Sequence, residues 1–321
     1  MFATFLAAAI SLGVVYLYGC LGEIITEKAG HLNLGIPGIM CLGATGGCYA
    51  VSLYMNAIGG NNPNVVLLLL LTVFGTSLFA VFGGMIYAFL TVSLRCNQNI
   101  TGLTLTTFGS GLADFMMASV VDRTYLPRAG YALASSLPFA GKLGGFGTIF
   151  LSHGVLVYLA IFLAIAAMLV FNRTKVGLNL RAVGENPAAA DAVGIDVTKY
   201  KYAAIAIGSA IAGMGGSFYI LDFIKGSWEN SATVAAMGWI AIALVIFSLW
   251  RPALSIFGAI LFGALTAAPS YITGISFSEM KLLKVLPYVV TVIVLIITSI
   301  RNSRENQGPA AIGVAYFREE R

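Results

Sequence analysis

The sequence predicts an all-α protein, a polytopic transmembrane helix bundle of about eight to ten spans. Three observations predict it. Of the 321 residues, 59% are hydrophobic and only 10% are charged, where soluble domains carry about 25% charged residues. Long apolar runs recur along the whole chain, each close to the ~20 residues that cross a bilayer as a helix. The basic residues concentrate in alternate loops, as they do in multi-pass membrane proteins.

Spans fall near residues 2–21, 38–56, 65–94, 99–120, 149–172, 201–222, 234–250, 253–268 and 285–300. The first, MFATFLAAAISLGVVYLYGC, lacks the basic n-region of a cleaved signal peptide and reads as a retained span. The run 65–94 exceeds one straight crossing, so it is expected to tilt or to bend near Gly83-Gly84. The stretch 234–268 is too long for one helix, and SLWRPAL divides it. Pro252 stops the preceding helix, and Arg251 is costly at mid-bilayer, so two short spans should meet at one membrane face. GGMIYAFL at 83–90 and GGSFYILD at 215–222 share paired glycines and a tyrosine at one offset. Duplicated halves of this kind are common in transporters.

Lys and Arg orient the bundle. Loops 22–37, 95–98, 173–200 and 251–252, the tail from 301, and Lys201 hold 12 of the 18 basic residues, and the opposite loops hold 6. The positive-inside rule puts the richer set in the cytoplasm, with the N-terminus outside and the C-terminus inside. The division is a transmembrane domain over 1–300, with a cytoplasmic loop at 173–200, and a cytoplasmic tail at 301–321. The net charge of +5 then reflects loop bias rather than nucleic-acid binding. Cys20, Cys41, Cys48 and Cys96 show no CxxC spacing and read as packing residues. His31 and His153 lie too far apart to form a local metal motif. No metal site and no catalytic residue is expected.

Three stretches could carry function. In RAVGENPAAADAVGID, at 181–196, Asn186 suits an N-cap, Pro187 the first helical position and Gly194 the C′ stop. The helix between them would have about two turns, roughly 10 Å at 1.5 Å per residue. That is too short to be stable alone, so it needs a surface to rest on. That surface is either its own bundle or a groove on a cytoplasmic partner that receives its alanine face.

In GEIITEKAGHLNLGIPGIM, at 22–40, polar Glu23, Glu27, Lys28, His31 and Asn33 join two apolar spans. The first four read as an interfacial loop. For Asn33 and Gly35 to Gly38, a helix break near a translocation path is the alternative, since broken backbone can bind or gate. The span NITGLTLTTFGSGLADFMMASV, at 99–120, is rich in small and hydroxyl residues. Close helix packing explains that composition, and a cavity wall for a polar solute does so equally. Asp114 is the one acid well inside a span, with a vestibule or Arg123 as its expected surroundings.

The first two stretches also resemble a known family. GEIITEKAGHLNLGIPGIM and GLNLRAVGENPAAADAVGI are similar to segments of the permease subunits of bacterial binding-protein-dependent ABC importers. That family includes ribose, branched-chain amino acid and nucleoside permeases. The Gly-Glu…Glu-x-Ala-Gly-x-x-Asn-Leu-Gly pattern looks most like the nucleoside branch, and the likeness runs from about residue 15 to 300. The resemblance implies an importer-type bundle with discontinuous helices in the bacterial plasma membrane. It also implies that RAVGENPAAADAVGI couples to a cytoplasmic ATPase through Arg181, Gly184, Glu185, Asn186, Pro187, Ala190 and Gly194. The chain carries no GxxxxGK[ST] phosphate loop. ATP and Mg are therefore expected on the partner ATPase, and no cofactor on this chain.

Further implied partners are a second permease chain, often a different one, and an extracellular or periplasmic solute-binding lipoprotein. The expected solute is a nucleoside, with Asn33, Thr104, Thr107, Asp114 and Trp239 lining its path. A neutral solute suits the scarcity of intramembrane charge, which also admits a simple sugar and disfavours a zwitterionic branched-chain amino acid. An ion-coupled secondary transporter is the alternative of another class and would normally place more ionisable residues mid-membrane. A membrane-embedded enzyme would need a nucleophile or metal cluster, which His31 and His153 do not supply.

Overall fold

A computed structural model describes residues 2–136, 140–272, 274, 276–301 and 307–317. Helices and turns make up the described residues, with no strand among them. The helices are α1 (Phe2–Lys28), α2 (Ile36–Ala57), α3 (Val65–Ala88), α4 (Gln98–Ser119), α5 (Leu126–Leu133), α6 (Gly144–Phe150) and α7 (Val155–Arg173). They continue as α8 (Lys175–Glu185), α9 (Pro187–Ala192), α10 (Val197–Ser217), α11 (Ser231–Phe247), α12 (Pro252–Ala267), α13 (Phe277–Leu283) and α14 (Leu286–Arg301). Among the described residues seven helical segments are long and apolar enough to cross a membrane. Two more occupy expected spans: α11 has 17 residues, and the 22 residues of α4 are rich in threonine and glycine. The protein is a multi-pass membrane helix bundle.

Three helices form the centre. The most apolar stretch of α2 is 83% buried, that of α10 is 78% and that of α1 is 61%, against 28% for both α3 and α7. The outer helices present large apolar side chains such as Leu70, Phe74, Phe82 and Phe162, as expected of helices that meet lipid. Small residues let the central helices approach. A Cβ on Gly208 of α10 would lie within 2.5 Å of both the Gly22 carbonyl oxygen and the Thr26 hydroxyl of α1, so only glycine permits this crossing. Hydroxyls stitch α2, α3 and α10 together. Ser217 Oγ sits 2.5 Å from Thr76 Oγ1 and 2.7 Å from the Gly43 carbonyl it donates to.

Several expectations are refined. Helix α1 runs on through Glu23, Glu27 and Lys28, which the sequence placed in a loop; both acids are buried in the bundle. One oxygen of each carboxylate accepts a bond inside the protein, Glu23 Oε1 from the Asn33 N–H and Glu27 Oε2 from the Trp250 indole. Helix α3 passes through Gly83-Gly84 without interruption and leaves α geometry further on, in a π turn at Phe89–Ser93. Helix α10 ends in a π turn as well, at Phe218–Phe223. The two GG-containing echoes therefore both run into the same local device. Contacts of Gly84 with Ser209, Ala80 with Gly213 and Thr76 with Ser217 set the two helices antiparallel. Span 149–172 is broken at 151–154, between α6 and α7. Leu249 and Trp250 adopt positive φ of 53° and 54° ahead of Arg251-Pro252, which makes the sharp α11–α12 turn.

One end of the bundle gathers the α1–α2 turn, α8, α9, the α11–α12 turn and residues 307–317. Gly184 rests on the Lys28 carbonyl, and Gly308 lies against the Trp250 ring. Gln98, at the start of α4, reaches both the Leu32 N–H and the Val314 carbonyl. At the opposite end Asn56 bonds Asp122, and Arg128 bonds the Gly60 carbonyl. The Asp122 carboxyl is held below its usual range by the hydroxyl and N–H of Thr124.

Candidate functional site

The first candidate is the α8–α9 element. Thr174 starts α8 by accepting the Gly177 N–H at 3.1 Å, a cap that the sequence reading passed over together with the helix behind it. Leu180, Val183 and Gly184 turn inward. Asn186 then caps α9, its Oδ1 accepting the Ala189 N–H at 3.0 Å, with Pro187 in the first helical position. Gly194 closes the helix at φ 86°, a value that suits glycine. Its N–H donates to Asp191 O and that of Ile195 to Ala190 O, both at 3.0 Å. The seven residues Arg181, Gly184, Glu185, Asn186, Pro187, Ala190 and Gly194 thus belong to one compact helix–turn–helix.

Its faces are unequal. Ala190 is 3% exposed and packs with Val183 and Val197 in a small core of its own. Its neighbour Tyr316 donates to Asp191 Oδ2 at 2.8 Å. Residues 307–317 lie along this side, and the Ala311 N–H donates to Gly184 O at 3.0 Å. Arg181, Glu185 and Asn186 are exposed beside residues 307–317, and Ala189, Ala192 and Gly194 are exposed with them, while Val193 is 77% exposed. Val193 is the apolar tip of the element. The sequence signal for it was available, since it is the one β-branched residue between Asn186 and Gly194.

Behind this element lies the turn 29–35. Asn33 is fully buried. Its N–H donates to Glu23 Oε1 at 2.8 Å, and its Oδ1 accepts the Gly35 N–H at 2.9 Å. Glu27 Oε2 accepts the Trp250 indole N–H. These bonds tie α1, the α1–α2 turn and the α11–α12 turn together. His31 is 1% exposed, edge-on to Tyr87. Burial and the Lys201 ammonium push its pKa down to about 3, so it stays neutral. Among the described residues no group of three or more His, Cys, Asp or Glu could hold a metal ion.

The second candidate is the outer face of α4. Thr104, Thr107, Gly111 and Asp114 are exposed on one stripe, with Leu103, Phe108 and Phe115 beside them. The three- and four-residue spacings keep them on one side of the helix. Thr104 and Thr107 donate to the carbonyls of Ile100 and Leu103, at 2.9 and 3.3 Å, which leaves their oxygen lone pairs to accept. Asp114 is not turned to Arg123. Its Oδ1 takes the Ser231 N–H at 2.9 Å and its Oδ2 the Ser231 hydroxyl at 2.5 Å, so it anchors α4 to the start of α11. Trp239 is half-buried two turns further along α11. Asn33 stands apart from this group, beside the buried Leu105 side of α4. A polar stripe on a spanning helix is unfavourable against hydrocarbon and calls for water or another protein surface.

Residues 5–298 match the family described as branched-chain amino acid transport system / permease component. A Haloferax volcanii protein provisionally named as a glucose ABC transporter permease is 35% identical over 271 residues, covering 83% of this chain and 76% of that one. The nucleoside ABC transporter permease protein NupC of Lactococcus lactis subsp. cremoris is 31% identical, covering 87% of each chain. The guanosine ABC transporter permease protein NupQ of Bacillus subtilis is 29% identical, covering 76% of this chain and 74% of that one.

Proposed function

We propose that this chain, which belongs to the branched-chain amino acid transport system / permease component family, imports a nucleoside. It is a permease subunit of an ABC transporter and a transport component rather than an enzyme. Such subunits work with ATPase and binding-protein partners. In the proposed cycle, ATP binding closes a partner ATPase dimer and moves α9 with it. The spans around the pathway then change which side they open to, with the α8–α9 end in the cytoplasm. A second permease chain completes the pore, and a lipoprotein delivers the solute.

The observation that carries the substrate class is the α4 stripe. Its hydroxyls are neutral acceptors, and both oxygens of its one carboxylate are already engaged by Ser231. A neutral, hydroxyl-rich solute fits such a surface, whereas the carboxylate of a zwitterion would lack a counter-charge there. Two relatives named for nucleoside or guanosine transport favour a nucleoside. The relative provisionally named for glucose favours a sugar as the second reading.

Uptake of radiolabelled guanosine and glucose by cells with and without this gene separates the two. The account expects guanosine uptake to depend on the gene and to resist excess glucose, and the reverse pattern selects the sugar. Thr107→Val removes a hydroxyl without changing shape. It is expected to raise the half-saturating concentration by about five- to tenfold, the range of one lost hydrogen bond. Unchanged uptake would remove Thr107 from the pathway.

A further inference from the structure

We propose that the cavity between α7, α8 and the α11–α12 turn binds the phosphate headgroup of an anionic phospholipid. The cavity measures about 550 Å³. Lys28 from the end of α1, Arg181 from α8 and Arg251 from the α11–α12 turn all line it. They come from three separate segments, so their meeting is a product of the fold and not of one helix's charge pattern. Glu185 attracts the Lys28 ammonium while Arg181 and Arg251 both repel it, and a bound anion would offset that repulsion.

Among the described residues one carboxylate lines the cavity, Glu185, which faces Lys28 and whose Oε2 also takes the Ala310 N–H at 3.4 Å. Glu27, the other acid near Lys28, is occupied by Trp250. Among the described residues three cations and one carboxylate line the cavity, and the first turn of α12 opens on it at Pro252 and Ala253, adding its positive helix end.

The rest of the lining argues for a lipid over a free anion. Met168 and Phe171 of α7 form an apolar wall. Along the same helix Ile165 and Leu169 are 44% and 50% exposed, so the wall continues onto an open apolar surface. A charged floor beside a membrane-facing apolar wall matches the shape of a phospholipid, head at the turn and acyl chain along α7. Basic pockets between spanning helices at the cytoplasmic side are sites of this kind. A lipid here would brace the base of α8, and the lipid composition of the leaflet would then bear on how α9 is held.

Native mass spectrometry of the full-length chain, extracted with whatever subunits accompany it, tests the proposal. Dioleoyl-phosphatidylglycerol, dioleoyl-phosphatidylcholine and inorganic phosphate are the probes. The expected result is a phosphatidylglycerol adduct that survives activation which strips phosphatidylcholine, and that excess inorganic phosphate does not displace. Arg181→Gln combined with Arg251→Gln should weaken that adduct roughly tenfold or more, while Arg181→Lys with Arg251→Lys retains it. Equal retention of the two lipids by the unaltered protein overturns the proposal, whatever the variants do. Displacement by inorganic phosphate overturns the lipid in favour of a soluble anion, and a preference that survives the double Gln change overturns the site.

Discussion

The two polar islands, residues 22–40 and 181–196, look alike as sequence and differ most in where they end up. In the first, Glu23, Thr26, Glu27, His31 and Asn33 are between 0% and 3% exposed. In the second, Glu185, Asn186, Ala189, Ala192 and Gly194 are open and Val193 is 77% exposed. The first is buried because its acids are answered within the chain, Glu23 by the Asn33 N–H and Glu27 by Trp250. The second is held by its own caps and by residues 307–317, and among the described residues its Val193 tip is left without such a partner on the exposed side. A polar island whose partners are internal is a rivet between helices. One that is capped, rigid and tipped with an exposed valine has a surface left for another protein.

Variants can break this contrast, beginning with the central packing that surrounds the buried island. Gly208→Val places side-chain carbons on the Gly22 carbonyl and the Thr26 hydroxyl, and overpacking of this kind costs ~1–3 kcal/mol or more. The expected outcome is loss of a monodisperse peak in size-exclusion chromatography of the detergent-solubilised chain. Trp250→Ala leaves the buried Glu27 carboxyl without its indole donor, at a cost of about 1–3 kcal/mol. Its thermal midpoint should fall measurably, and an unchanged midpoint would mean that the island is not held by its partners. The exposed island should respond in the opposite sense. Asn186→Ala removes one cap, worth ~1 kcal/mol locally, so the global midpoint should barely move while uptake falls several-fold. A large drop in midpoint with uptake intact would reverse the contrast.

Much of the fold was legible because about 20 apolar residues in a row leave the backbone few options in a bilayer. Among the described residues a helix stands at each of the nine expected spans. What escaped depended on distant partners. The last turns of α1 read as a loop because nothing local shows that Trp250, 223 residues away, will satisfy Glu27. For Asp114 the sequence offers a vestibule or the nearby Arg123, and its partner Ser231 lies 117 residues on. The caps Asn186 and Gly194 were legible, since capping is local chemistry. Which side of α9 stays open was not, because Tyr316 and residues 307–317 decide it from the far end of the chain. Ala190, the natural position to probe from sequence, is packed on the chain's own Val183 and Val197. A bulky charge there would unseat α9 before it tested any docking, so Val193 is the position that isolates the exposed face.

The most direct measurement is therefore coupled transport by Val193→Asp in vesicles that contain the reconstituted transporter. The side chain is exposed at the tip of the element, so the variant should insert and melt like the unaltered protein. The account predicts that uptake is lost and that solute-loaded binding protein no longer stimulates ATP hydrolysis. Uptake and stimulation at the unaltered rate would contradict it.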